Sequence, residues 1–139
     1  MQQIKWGIIG PGSIATAFAH SIKNVANSKL ISVFGRNIEK AKNFANEFQI
    51  SSHNNLEDFI SSPDLDAVYI ATPHSEHFVF TLEAIKHGKH VLCEKPFTMN
   101  AYESMVLIDL AQTSKVFLME AFMYRTHPQT ANILNNLNF

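Results

Sequence analysis

Glu94, Lys95 and Pro96 stand directly after the apolar run His90–Val91–Leu92–Cys93, with no polar spacer between them. An acid, a base and a proline at the mouth of a buried strand suit proton and charge chemistry. A lysine there can hydrogen-bond a hydroxyl or carbonyl and stabilise the charge that develops on it. Glu94 is expected to orient Lys95, and Pro96 to fix the turn through a cis peptide. Lys95 is therefore the candidate catalytic residue.

Three further clusters point to a nucleotide. Gly10–Pro11–Gly12–Ser13–Ile14–Ala15 reads G-x-G-x-x-A between a strand and a helix. The first glycine permits a tight turn, and the second lets the backbone approach a pyrophosphate. The alanine lets the helix pack close, with its N-terminus toward negative charge. Gly10, Gly12, Ser13 and Ile14 are the resulting cofactor candidates.

At the end of the second strand, Phe34–Gly35–Arg36–Asn37 holds no carboxylate for a ribose 2′-hydroxyl. Arg36 instead offers a planar fork to a 2′-phosphate. NADP is therefore favoured, with NAD as the alternative. In Ala71–Thr72–Pro73–His74–Ser75–Glu76–His77, Pro73 stiffens a strand-to-helix turn. Thr72 and His74 are expected to line the nicotinamide–ribose region, with His77 close to the reacting centre. No set of metal ligands is completed around the two histidines, and no metal is expected. His87 and His90 flank Gly88 and read as turn residues.

The elements that must position these groups alternate. Strands are expected at 4–10, 29–35, 66–72, 89–93 and 115–121, with a short one at Ile50–His53. Helices are expected at 13–26, 38–48, about 75 to 87, and 101–113, with a helical turn capped by Asn54 or Asn55. Gly88 stops one helix, and Pro128 suits the first turn of the last, which runs on through Ile133–Phe139. Apolar strands each followed by a helix imply a doubly wound α/β parallel sheet of about six strands, of Rossmann type, with helices on both faces. Ligands in such sheets bind at the carboxyl ends of the strands. Each polar cluster named above falls at such an end.

The 139 residues suit one domain, and 46% hydrophobic with 17% charged residues is a globular balance. A net charge of −1 with scattered Lys and Arg argues against nucleic acid. The single cysteine, Cys93, reads as a small buried hydrophobe. The N-terminus lacks a signal-peptide pattern, and no apolar run approaches the ~20 residues of a membrane span. A cytoplasmic protein with no membrane partner is expected.

Gly7–Ala15, Asp66–His77 and Gly88–Pro96, in that order and spacing, resemble the N-terminal domain of the glucose–fructose oxidoreductase/inositol dehydrogenase family, Gfo/Idh/MocA. Ser32–Asn37 and Glu120–Pro128 are similar to its dihydrodiol and D-xylose dehydrogenase branch, whose members prefer NADP. The resemblance covers essentially the whole chain. It implies reversible oxidation of a sugar, polyol or diol hydroxyl with Lys95 at the reactive centre, Glu94 and Pro96 shaping the nicotinamide site, and Tyr124 and Arg125 lining the cleft. It places the nucleotide-binding domain at residues 1–127. Residues 128–139 would begin the helix leading to a second α/β domain, which supplies the substrate pocket and an oligomer interface. With that domain absent, cofactor binding is expected and turnover is not. The competing readings are a non-catalytic NADP-binding regulatory or partner module, acting as a homo-oligomer or on another chain, and an inert truncation product.

Overall fold

The computed structural model describes residues 3–136. Six strands form one parallel sheet: β1 (Ile4–Ile9), β2 (Ser28–Phe34), β3 (Ser51–His53), β4 (Ala67–Ile70), β5 (His90–Cys93) and β6 (Leu118–Glu120). Their spatial order is β3-β2-β1-β4-β5-β6, so the direction of winding reverses between β1 and β4. That reversal opens a crevice at the carboxyl ends of β1 and β4, which hold Gly10 and Thr72.

Alternation along each central strand sorts the core into two layers. Ile9, Phe34, Val68 and Ile70 face one side, where they meet Phe59, Phe80, Ile85 and Leu107 from α3 (Leu56–Ile60), α4 (His74–Lys86) and α5 (Ala101–Ser114). Ile8, Val33 and Tyr69 face the other, against Ala15 and Ala19 of α1 (Ser13–Ile22) and Phe44, Ala45 and Phe48 of α2 (Ile38–Phe48). Each fully buried Ile, Val or Phe stabilises the fold by roughly 1.5–3 kcal/mol. β4 is buried at all four positions, whereas the edge strands β3 and β6 are only partly covered. The continuous apolar run Ala67–Ile70 is thus the signature of the strand covered on both faces.

The helix starts carry their own signals. Asn37 accepts from the Lys40 amide, and Asn55, rather than Asn54, accepts from Glu57 and Asp58. Asn100 accepts from the Glu103 amide, while the Glu103 carboxylate reaches back to the Met99 amide, a reciprocal cap. Gly88 ends α4 with φ of +70°, where a side chain is strained. Pro128 opens α6 (Pro128–Asn136) as its first residue, after a 3₁₀ turn at Met123–Thr126.

Two expectations are revised. The first helix stops at Ile22, not residue 26. Val25 is half exposed in the following turn, whose backbone bonds run from Asn24 to Ser21 and from Val25 to Ile22. Apolar spacing alone extended the helix through Asn24, a residue with poor helix propensity. The sixth strand is three residues long, because only Leu118–Glu120 pair with β5. The expected helical run beyond Asn136 lies outside the described residues.

Candidate functional site

At the end of β1 the chain turns through Gly10 with φ of +96°, and a Cβ there would meet Thr72 Cγ2 at 2.9 Å. Glycine is required on both counts. Gly12 differs: a Cβ built on it meets nothing within 4 Å, so the space in front of it is open. Gly12 is also the N-cap of α1 and supplies no side-chain cap. The first helical bond runs from the Thr16 amide to the Gly12 carbonyl at 3.0 Å. The amides of Ser13 and Ile14 precede it and need partners from outside the helix.

A cleft of about 340 Å³ opens beside this turn. Gly10, Pro11 and Gly12 form one wall, and Phe34, Gly35, Arg36, Asn37 and Lys40 another, with Ala71–Pro73, Glu76 and Phe80 opposite. The expected residues Gly10, Gly12, Arg36, Thr72 and Pro73 therefore meet in one place. Arg36 Nη2 lies 2.5 Å from Glu76 Oε1, across the cleft. Lys40 and Glu76 escaped the sequence reading. Lys40 is the third residue of α2, and a second cation four residues after Arg36 was a usable signal. Glu76 had none, because it belongs to another element.

The second part of the site lies at the ends of β4 and β5, which pair with Ile70 opposite Cys93. Glu94 is buried. Its Oε1 accepts the Tyr69 hydroxyl at 2.5 Å, and its Oε2 accepts the Lys95 backbone amide at 3.2 Å. The carboxylate thus holds Lys95 through its main chain. The hydroxyl of Tyr69 is pushed up from its ordinary value by burial first and by the Glu94 carboxylate second. Its ring stacks on Phe18 at 4.1 Å. Lys95 is exposed, with no ion-pair partner among the described residues. The Lys95–Pro96 peptide is cis.

His77 is fully buried. Nδ1 lies 2.9 Å from the Pro96 carbonyl and Nε2 2.9 Å from the Thr72 carbonyl. The ring therefore braces the turn after β4 against the turn after β5, and both its nitrogens are engaged with main chain. His74 is exposed at the start of α4, 5.6 Å from His77 between ring centroids. Arg125 and Tyr124 sit exposed on the 3₁₀ turn and do not line the cleft. Cys93 is buried, its thiol pushed up to about 12 chiefly by burial, as suits a packing residue rather than a nucleophile. No group of three or more metal-ligating side chains occurs among the described residues.

A nicotinamide dinucleotide fits this surface on three observations. The open space at Gly12 and the free amides at the head of α1 form an anion cradle. Arg36 and Lys40 add cations at the far wall. Thr72 Oγ1 is buried in the lining without a hydrogen-bond partner.

Sheet order, glycine turn and cleft together define a dinucleotide-binding α/β domain. The chain matches the model of the oxidoreductase family with NAD-binding Rossmann fold over residues 4–122, and so belongs to the Gfo/Idh/MocA family. It is 36% identical over 127 residues to the trans-1,2-dihydrobenzene-1,2-diol dehydrogenase of Xenopus tropicalis, covering 89% of this chain and 38% of that protein. It is 35% identical over 146 residues to the D-xylose 1-dehydrogenase (NADP(+)) of Hypocrea jecorina, covering 94% and 37%. The solved structure of KijD10, a 3-ketoreductase from Actinomadura kijaniata in complex with NADP and TDP-benzene, superposes with a TM-score of 0.91 at 28% identity. That match covers 96% of this chain and 42% of KijD10. The chain thus spans well under half the length of these relatives. No helix among the described residues is long and apolar enough to cross a membrane.

Proposed function

We propose that this chain is the cofactor-binding part of an NADP-dependent oxidoreductase that acts on a hydroxyl of a sugar, polyol or diol. The observation that carries the reading is the adjacency of two features. The glycine-and-cation cleft and the Glu94–Lys95 turn leave the sheet from neighbouring strands, and His77 bridges them. Gly10, Gly12, Ser13 and Ile14 would hold the pyrophosphate, and Arg36 with Lys40 the 2′-phosphate. Thr72, Pro73 and His74 would line the ribose and ring end.

When bound, the nicotinamide supplies the hydride acceptor or donor. Lys95 donates a hydrogen bond to the substrate oxygen and balances charge on it. Glu94, held by Tyr69, fixes the backbone from which Lys95 projects, and Pro96 ends that turn. His77 is read as a positioning residue and Arg125 as a contact beyond the cleft. On this reading the cofactor unit ends at residue 127, and the helix that opens at Pro128 leads toward a substrate and oligomer domain. A cytoplasmic location accords with a lone buried thiol.

The exposure of Lys95 favours a second reading for these 139 residues by themselves: cofactor binding without turnover, in a regulatory or partner role. Water at the reacting centre weakens every electrostatic contribution there. Titrating the chain with NADPH and NADH by nucleotide fluorescence, and assaying reduction of NADP by D-xylose, a trans-diol and an inositol, tests both. Binding of NADPH without turnover supports the cofactor unit acting alone. Absence of binding by either nucleotide rejects the proposal.

A further inference from the structure

Arg36 is not a free cation. Its side chain is 71% exposed and pairs with Glu76, which is only 21% exposed and projects from the first turn of α4. The second carboxylate oxygen, Oε2, is buried without a partner. Both residues and Lys40 line the same cleft. Glu76 therefore brings a negative charge to the wall where β2 ends, a wall that carries no carboxylate of its own in Phe34–Asn37.

We propose that Glu76 sets how strongly the cleft prefers a 2′-phosphorylated nucleotide, by neutralising Arg36 and so weakening that preference. The inference rests on the dinucleotide reading of the cleft given above. A 2′-phosphate adds close to two negative charges. It meets an arginine already engaged, and must share the fork with the carboxylate or displace it. The guanidinium has five N–H donors, so sharing satisfies its geometry. Carboxylate and phosphate then remain as like charges a few ångströms apart, a penalty of about tenfold in affinity at water-like dielectric. An unphosphorylated ribose brings no charge and meets no such penalty. The carboxylate thus acts on one ligand and spares the other.

The test uses the whole 139-residue chain with Glu76→Gln and Glu76→Asp. Dissociation constants for adenosine 2′,5′-bisphosphate and 5′-AMP are measured by calorimetry at about 20 mM and about 500 mM salt, where screening differs strongly. Glu76→Gln should tighten the bisphosphate about tenfold at low salt, leave 5′-AMP within about twofold, and lose most of the gain at high salt. Glu76→Asp keeps the charge and should stay near the unmutated ratio. Weaker or unchanged bisphosphate binding by Glu76→Gln overturns the inference, since the carboxylate would then be orienting Arg36 or doing nothing. An equal, salt-independent gain for both ligands overturns it too, as a loosening of the cleft. If the unmutated chain binds neither ligand, the dinucleotide reading fails first and this inference falls with it.

Discussion

The hydroxyl of Tyr69 donates to the carboxylate of Glu94 at 2.5 Å, joining the middle of β4 to the residue that precedes Lys95. The pair is buried, and Glu94 passes the constraint on through the Lys95 amide. Tyr69→Phe leaves the ring stacked on Phe18 but strips a buried carboxylate oxygen of its donor. The expected cost is ~1–3 kcal/mol of stability, read from the urea midpoint. A change within 0.3 kcal/mol would mean that water replaces the hydroxyl at no cost.

The same tyrosine makes the fold sensitive to alkali. Its folded value is raised above the ordinary one near 10, so above that pH the unfolded chain releases the proton while the folded chain keeps it. The Tyr69 contribution to stability is therefore fully present below pH 10 and declines above it, by up to about 1.4 kcal/mol per pH unit. Cys93, pushed up to about 12, adds a decline that begins near its ordinary value of 9. Urea titrations at about pH 8 and about pH 11 should show a smaller alkaline loss in Tyr69→Phe than in the unmutated chain. Equal losses would exclude Tyr69 as the source.

Gly7 and Gly12 should answer to alanine in opposite ways. A Cβ on Gly7 meets Phe59 Cζ at 2.6 Å and Leu65 Cδ1 at 2.8 Å, in the core. Gly7→Ala should cost ~1–3 kcal/mol by overpacking without a specific effect on ligand contacts. Gly12→Ala meets no atom of the protein and should leave thermal unfolding within about 2 °C while weakening NADPH about tenfold or more. If Gly12→Ala binds NADPH normally, the pyrophosphate does not sit there.

Arg36→Ala should cut the affinity for NADPH by roughly ten- to a hundredfold and change that for NADH by less than about threefold, since a charged hydrogen bond is worth ~1.5–3 kcal/mol. Lys40→Ala should act in the same direction more weakly, as a point charge without the fork. Competitive fluorescence titration measures both. Equal losses for the two nucleotides would move Arg36 away from the 2′-phosphate.

Much of the architecture could be read along the chain because its causes are local. Strand and helix periods in Ile4–Ile9, Ser28–Phe34, Ile38–Phe48 and Ala67–Ile70 follow from which side chains must face the core. The cleft residues Gly10, Gly12, Arg36 and Thr72 were legible because each stands at a strand end, and a parallel sheet gathers all its carboxyl ends on one side. The end of α1 was not, since apolar residues continue past the turn that stops it.

By itself, then, the sequence determined the parallel fold, the glycine turn and the placing of Lys95 after β5, all consequences of short-range spacing and backbone preference. Only the tertiary structure decided which side chains meet. Glu76 lies 40 residues beyond Arg36, yet reaches it across the crevice that the order β2-β1-β4 creates. Tyr69 meets Glu94 because β4 and β5 pair in one register, and His77 is enclosed because α4 packs back over both turns. Such contacts depend on sheet order and register, and no residue carries a local mark of the partner those will bring to it.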